Sequence, residues 1–209
     1  EPLVEWGIRS GEDKAVYNNT KLTKKGIDSI KSLLEYQDYI NGVEYWEGQP
    51  FDYNLDEFRK NIAYNNLSDS HLAAFSLPFT ERDEKWLDVP APIMDDPNKN
   101  IVFARSCRYH SNYPFWEMMD REYIKRAMYI GHEKEYEYFQ YTYPHMKEVP
   151  HRKVESLLEM AQIIQGASVF IGNQGLPHAI AEGLKGHVIN EVFRPYPAAI
   201  FKREGAQYV

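Results

Sequence analysis

The chain has 209 residues, 43% of them hydrophobic, so it can bury a sizeable core as one large domain or two small ones. Its formal charge of -7 excludes a broad basic face for nucleic acid and leaves room only for a local basic pocket around a small anion. A single cysteine, Cys107, excludes an internal disulfide, and without a Cys/His array there is no structural zinc signature.

No apolar run reaches the length of a membrane span, and the opening EPLVEWGIRSGEDK is too charged for a signal peptide. A soluble, reducing, cytoplasmic setting is therefore expected. The first residue is Glu and not Met, so an upstream piece is expected as well.

In chain order, the stretch from Ala15 predicts a short strand. A Thr-led helix follows, with Ile27, Ile30, Leu33 and Leu34 on one face, then a second short strand over Val43 to Trp46. The segment FDYNLDEFRKNIAYNN shows a thin helical pattern through Leu55, Phe58 and Ile62, closer to loop than to helix. LPFTERDEKWLDVPAPIMDDPNKN, rich in proline and acids, reads as a connection between lobes. It places a boundary between Asp88 and Asn100, with an N-terminal lobe of residues 1–92 and a C-terminal lobe of residues 93–209.

Beyond it the rhythm is regular. NIVFARS predicts a buried strand, MDREYIKRA a short helix, AMYIG a strand and EKEYEYFQYTY a helix at its start. VESLLEMAQIIQGA carries Leu157, Leu158, Ala161 and Ile164 at helical spacing and stops at Gly166; then come the strand SVFIG, the helix PHAIAEGLK and the strand HVINEV. Alternating strands and helices imply an α/β fold, with a Rossmann-like parallel sheet buried on both faces. For the tail FRPYPAAIFKREGAQYV the expectation is packing across the other lobe.

Ligands of such sheets bind outside the carboxyl ends of the strands, which draws attention to three corners. In GNQGLPHAIAEG, Gly175 gives close backbone approach, Pro177 suits the first helical position and His178, in the first turn, can donate to an anion at the helix N-terminus. The same pattern also serves a plain strand-to-helix turn. GNQG is neither GxGxxG nor a Walker loop. In RSCRYHSNYPFW, Arg105, Ser106, Arg108 and Asn112 offer donors for a diphosphate, or else arginines answering nearby acids in a solvated loop. In GHEKEYEYF, Glu133 and Glu135 are placed to accept from sugar hydroxyls, or simply favour the positive end of a helix.

There is no HExxH and no GxSxG, and His110, His145 and His151 read as surface histidines. Asp95 and Asp96 read as a solvated turn, and Asp52, Asp56 and Arg59 as a cap and an intrahelical pair.

With the three corners together, residues 100 to 192 resemble the nucleotide-sugar-binding domain of GT-B glycosyltransferases, most closely the heptosyltransferase-like family. FIGNQGLPHAIAEGLKG follows that family's strand, Asp-Thr/Ser-Gly corner and His-bearing helix, with Asn173 at the Asp position, Gln174 at the Ser/Thr position, and Gly175 and His178 matching. VFARSCRYHSNYPFW resembles its phosphate-contacting loop, and YIGHEKEYEYF its nucleoside-contacting loop. LLEYQDYINGVEYWEG and YNLDEFR are more weakly reminiscent of its acceptor-side half, and no Gly-rich corner with a catalytic carboxylate occurs before residue 50.

The resemblance implies an inverting, metal-independent glycosyltransferase without a cofactor, which moves a sugar from a nucleotide-diphosphate donor to a saccharide acceptor. It assigns the diphosphate to Arg105, Ser106, Arg108, Asn173, Gln174, Gly175 and His178, and the nucleoside to Glu133 and Glu135. The catalytic base is unassigned. A non-catalytic nucleotide- or sugar-binding module is the alternative, and an epimerase of GT-B architecture a third reading.

Overall fold

The computed structural model of the protein describes residues 23–61 and 66–209. Four short apolar runs form strands β1 (Ile101–Ala104), β2 (Ala127–Tyr129), β3 (Val169–Asn173) and β4 (Val188–Glu191), and the tail adds β5 (Ala206–Tyr208). Every pairing is parallel, in the order β2-β1-β3-β4-β5. The chain steps outward from β1 to β2 and then crosses to β3 on the other side of β1. The order of the sheet therefore reverses between β1 and β3, where neighbouring crossovers leave on opposite faces and open a crevice at the carboxyl ends.

The strands are short because they are sealed on both sides. Along β1, Val102 and Ala104 enter one apolar cluster while Ile101 and Phe103 enter the other, and Met128 and Tyr129 of β2 part in the same way. The first cluster is roofed by α5 (Leu157–Gly166), α6 (Leu176–Gly183) and α1 (Lys24–Leu34), which contributes Leu33. The second is roofed by α3 (Arg121–Arg126), α4 (Glu133–Thr142) and the loop bearing Trp116. Trp116 meets Phe103 and Phe139 edge-on, with centroids 5.3 and 5.0 Å apart, so much of the aromatic content is spent on this face.

The α/β class and the strands and helices expected after residue 100 are all present. Earlier in the chain the outcome is mixed. α1 begins at Thr23, whose hydroxyl accepts from Gly26 N at 3.1 Å. The expected strand at Val43–Trp46 does not form: the stretch has no sheet edge to pair with, and Val43 N donates to Glu35 Oε1 instead, at 3.0 Å. Leu55–Asn61 makes a 3₁₀ turn, in keeping with its thin apolar face, and a helix absent from the sequence reading, α2, spans Leu67–Ala74. The strand expected from Ala15, and Ile62, lie outside the described residues.

The Pro-rich connection is strapped down. Gln37, buried, donates to Asp88 O at 3.2 Å and accepts from Asp88 N at 2.8 Å; Ile93 N donates to Gln162 O of α5 at 3.0 Å. Trp86 N and Leu87 N both reach Gly183 O of α6, at 3.1 Å each. The tail returns to α2, where Leu67 N donates to Ala198 O at 2.8 Å and Asn66 Nδ2 to Ile200 O at 2.6 Å. Among the described residues no helix is long and apolar enough to cross a membrane.

Gly183 carries the close approach of strap and helix, since a Cβ there would sit 2.7 Å from Leu87 Cδ1 and 2.8 Å from Trp86 Cε2. Gly183→Ala should destabilise the fold by about 1–3 kcal/mol through overpacking. At roughly 2–4 °C per kcal/mol for a chain of this size, a melting curve would show a loss of several degrees, and an unchanged midpoint would contradict the tight packing.

Candidate functional site

A cavity of about 260 Å³ opens in the crevice above β1, β2 and β3. Its apolar floor comes from strand ends and α5: Ala104, Ile130, Leu157 and Met160. At one end stands Glu135, in the first turn of α4, reached over a sharp corner at Gly131, whose φ of +129° suits glycine. Burial pushes the Glu135 carboxyl above its ordinary range, although the His132 and Cys107 backbone N–H groups and the charges of His132 and Arg108 pull the other way.

At the other end lies the N-terminus of α6. Among the described residues the other five α-helices begin on a side-chain cap: Thr23, Asn66, Asp120, His132 and Ser156. α6 begins on Gly175 with none. Gly175 is extended, with φ of -172°, so its backbone does not demand glycine. Beyond its chain neighbours a Cβ there would meet nothing closer than Pro177 Cδ at 3.8 Å. What glycine preserves is open space over unpaired N–H groups at the positive end of a helix dipole.

The candidate residues take different stations. Arg105 is buried, and its guanidinium is held by Glu191, with Nε to Oε2 at 2.7 Å and Nη2 to Oε1 at 3.0 Å. Trp116 Nε1 and Ser111 N each donate to the same carboxylate at 2.8 Å. This fork braces the sheet end, and most of it is spent before a phosphate could arrive.

Asn173 holds the loop after β1: its Oδ1 accepts from Ser106 N at 2.9 Å while its Nδ2 donates to Ser106 O and Arg108 O. Only an amide can do both, which is a physical reason for Asn over Asp here. Gln174 works likewise on the tail, donating to Tyr196 O at 2.7 Å and accepting from Phe193 N at 2.8 Å. Ser106 Oγ donates to Arg108 O at 3.2 Å, closing a turn that holds Tyr109 at a left-handed φ of 58°. Asn112 lies further along the same loop, outside the lining of this cavity. Glu133 points to solvent, 3.8 Å from Lys153 Nζ, so Glu135 is the acid of that pair in the crevice.

Arg108 and Gly175 also line a second, larger cavity of about 920 Å³ on the far side of α6. His178 faces this one, with its Nε2 3.7 Å from Glu182 Oε1. Glu182 in turn takes Arg203 Nε at 2.8 Å and Tyr208 Oη at 2.9 Å. Burial tends to raise the Glu182 carboxyl, but the neighbouring His178 and the bonded Arg203 guanidinium win and hold it below its ordinary value. The crevice thus gathers Arg105, Ser106, Arg108, Asn173, Gly175 and Glu135, while Gln174 and His178 belong to the other cavity.

The histidines taken for surface groups are braces: Nε2 of His110, His145 and His151 faces the carbonyls of Ser106, Trp116 and Gly131 at 2.8, 2.9 and 3.0 Å. Among the described residues no group of three or more His, Cys, Asp and Glu side chains could hold a metal ion. Comparisons with protein-family models, curated proteins and solved structures return no match.

Glu191 was missed in the sequence, yet a carboxylate closing the apolar run HVINEV is a signal that a buried cation must meet it. Glu191→Gln should destabilise by about 3–5 kcal/mol, because Arg105 would keep its charge and lose its counter-ion. Asn173→Asp, which turns a donor toward two carbonyls into an acceptor, should cost about 1–3 kcal/mol. Urea unfolding of the two variants measures both, and wild-type midpoints would contradict the clasp and the loop brace.

Proposed function

We propose that the chain binds a nucleotide-diphosphate sugar in the crevice and transfers the sugar to a saccharide hydroxyl. The observation that carries this reading is the crevice itself, with an apolar floor between a half-buried carboxylate and an uncapped helix N-terminus. Each of the three parts offers a partner to one part of a nucleoside diphosphate. A flat base suits the floor, ribose hydroxyls donate to Glu135, and the diphosphate meets the N-terminus of α6 with Arg108 beside it. In transfer, the acceptor oxygen bonds to the anomeric carbon and releases its proton to solvent as the bond from the sugar to the diphosphate breaks, and the charge that develops on the leaving oxygen falls at the dipole end and the guanidinium.

Arg105 and Gln174 are bound into the fold, so Arg108, Gly175 and the backbone of α6 bear the diphosphate in this reading. The same two losses favour, as a second reading, a glycosyltransferase-like module that binds without turnover. Incubation with a nucleotide sugar and saccharide acceptors separates the two, since only the transferase releases nucleoside diphosphate.

Titration with ADP, GDP, UDP and CDP tests the site. One of them should bind, and Gly175→Asp should abolish that binding while raising stability by about 0.5 kcal/mol, because Asp caps the helix and opposes the phosphate. Undiminished affinity in that variant would remove the diphosphate from α6.

The same titration has a pH signature. Glu135 accepts ribose hydroxyls best when ionised, and burial raises its pKa, so affinity should fall as the pH is lowered through a midpoint above the usual Glu value of about 4.3. Glu135→Gln should lack that component, which separates it from the titration of the nucleotide's own phosphate; identical pH profiles would take Glu135 out of the site.

A further inference from the structure

The larger cavity contains a buried polar atom with nothing to bond. His178 is 2% exposed, and its Nε2 has no hydrogen-bond partner, since the 3.7 Å to Glu182 Oε1 is too long for a bond. An unmade bond on a buried group is costly, and few such groups persist in native structures without a ligand or water to meet them. The surrounding wall is mostly apolar and partly aromatic: Trp86 and Tyr196 lie 45% and 65% exposed at the cavity, with Phe201 near His178 at 6.4 Å between ring centroids.

The wall also narrows the chemistry of an occupant. An anion would face the Glu182 carboxylate, which Arg203 and Tyr208 hold in place. A cation would face Arg82 and Lys185. Arg82 is answered by Asp69 and Glu182 by Arg203, while Lys185 donates to Arg82 O at 2.6 Å and lies over the Phe201 ring, so the cavity mixes charges of both signs and does not present one. A purely apolar occupant would leave Nε2 as it is. A hydroxyl fits without conflict, because it both donates and accepts: it satisfies Nε2 in either tautomer and can bridge it to Glu182 Oε1.

We propose that this cavity is a carbohydrate site, which takes a neutral pyranose with a hydroxyl on His178 Nε2 and its C–H face against Trp86 and Tyr196. On the transfer reading above, on which this role rests, the sugar held there is the acceptor. Arg108 and Gly175 line both cavities, so the acceptor and the donor's diphosphate lie on two sides of one thin wall.

The test is saturation-transfer NMR on the intact chain with methyl glycosides of glucose, galactose and mannose, with and without the nucleoside diphosphate that binds. At least one glycoside should show transfer, and His178→Ala should weaken it roughly tenfold, as the loss of one well-made buried hydrogen bond implies. Because His178 is buried, Ala179→Trp provides a second arm: Ala179 is exposed on the cavity wall, so the indole fills the space without entering the core. That variant should abolish glycoside binding and leave nucleotide affinity within about twofold, a shift too small to signify a lost contact.

Transfer from no glycoside, or transfer undiminished in both variants, overturns the proposal. Nucleotide binding in the same samples reports separately on the crevice. Glycoside binding without nucleotide binding would uphold the carbohydrate site and sink the transferase reading.

Discussion

The carboxyl end of the sheet is organised by one buried carboxylate. Glu191 lies inside the protein, and a charge there persists only if its lone pairs are filled. Four donors fill them: two from the Arg105 guanidinium, the Trp116 indole and the Ser111 backbone. Each belongs to the loop that follows β1, so the carboxylate draws that whole loop across β3 onto the end of β4. Tyr129 fastens β2 to the same loop, its hydroxyl donating to Arg105 O at 2.7 Å and accepting from Arg105 N at 3.2 Å. The crevice has its walls because this loop is not free to lift.

Most of the sheet and its helices were legible in the sequence for a plain physical reason. A parallel strand covered on both faces must be apolar at every position, and a helix that packs on one face must repeat near 3.6, so IVFA and LLEMAQIIQG announce themselves. Elements that depend on a distant partner do not. AQY is a strand only because β4 offers an edge, and α2 has little apolar periodicity of its own, resting on the Asn66 cap and the tail. The reverse error has the same root: Val43 to Trp46 has strand-forming residues and no neighbour to pair with.

The candidate site divides along similar lines. Backbone features were readable, since a Gly and a Pro around a helix start declare an N-terminus wherever they occur. Side-chain roles were not. Arg105 and Arg108 look alike in RSCRYH, and what separates them is an acid 86 positions away from Arg105 that only the folded sheet brings near. His178 seems from sequence to face the same anion as Gly175, yet Gly175 lines both cavities and His178 only the larger one. Local sequence identifies which groups are present near a corner; the packing of α6 decides which side of the wall each one serves.

The histidines divide by the direction of their bonds. His110, His145 and His151 each give an N–H to a carbonyl and so tie one loop to another. His132 works in the opposite sense, its Nδ1 accepting from Lys134 N at the cap of α4. The turn that presents Glu135 to the crevice is therefore fastened from within its own helix, by the ring that opens it, and not by a strut from a neighbouring element.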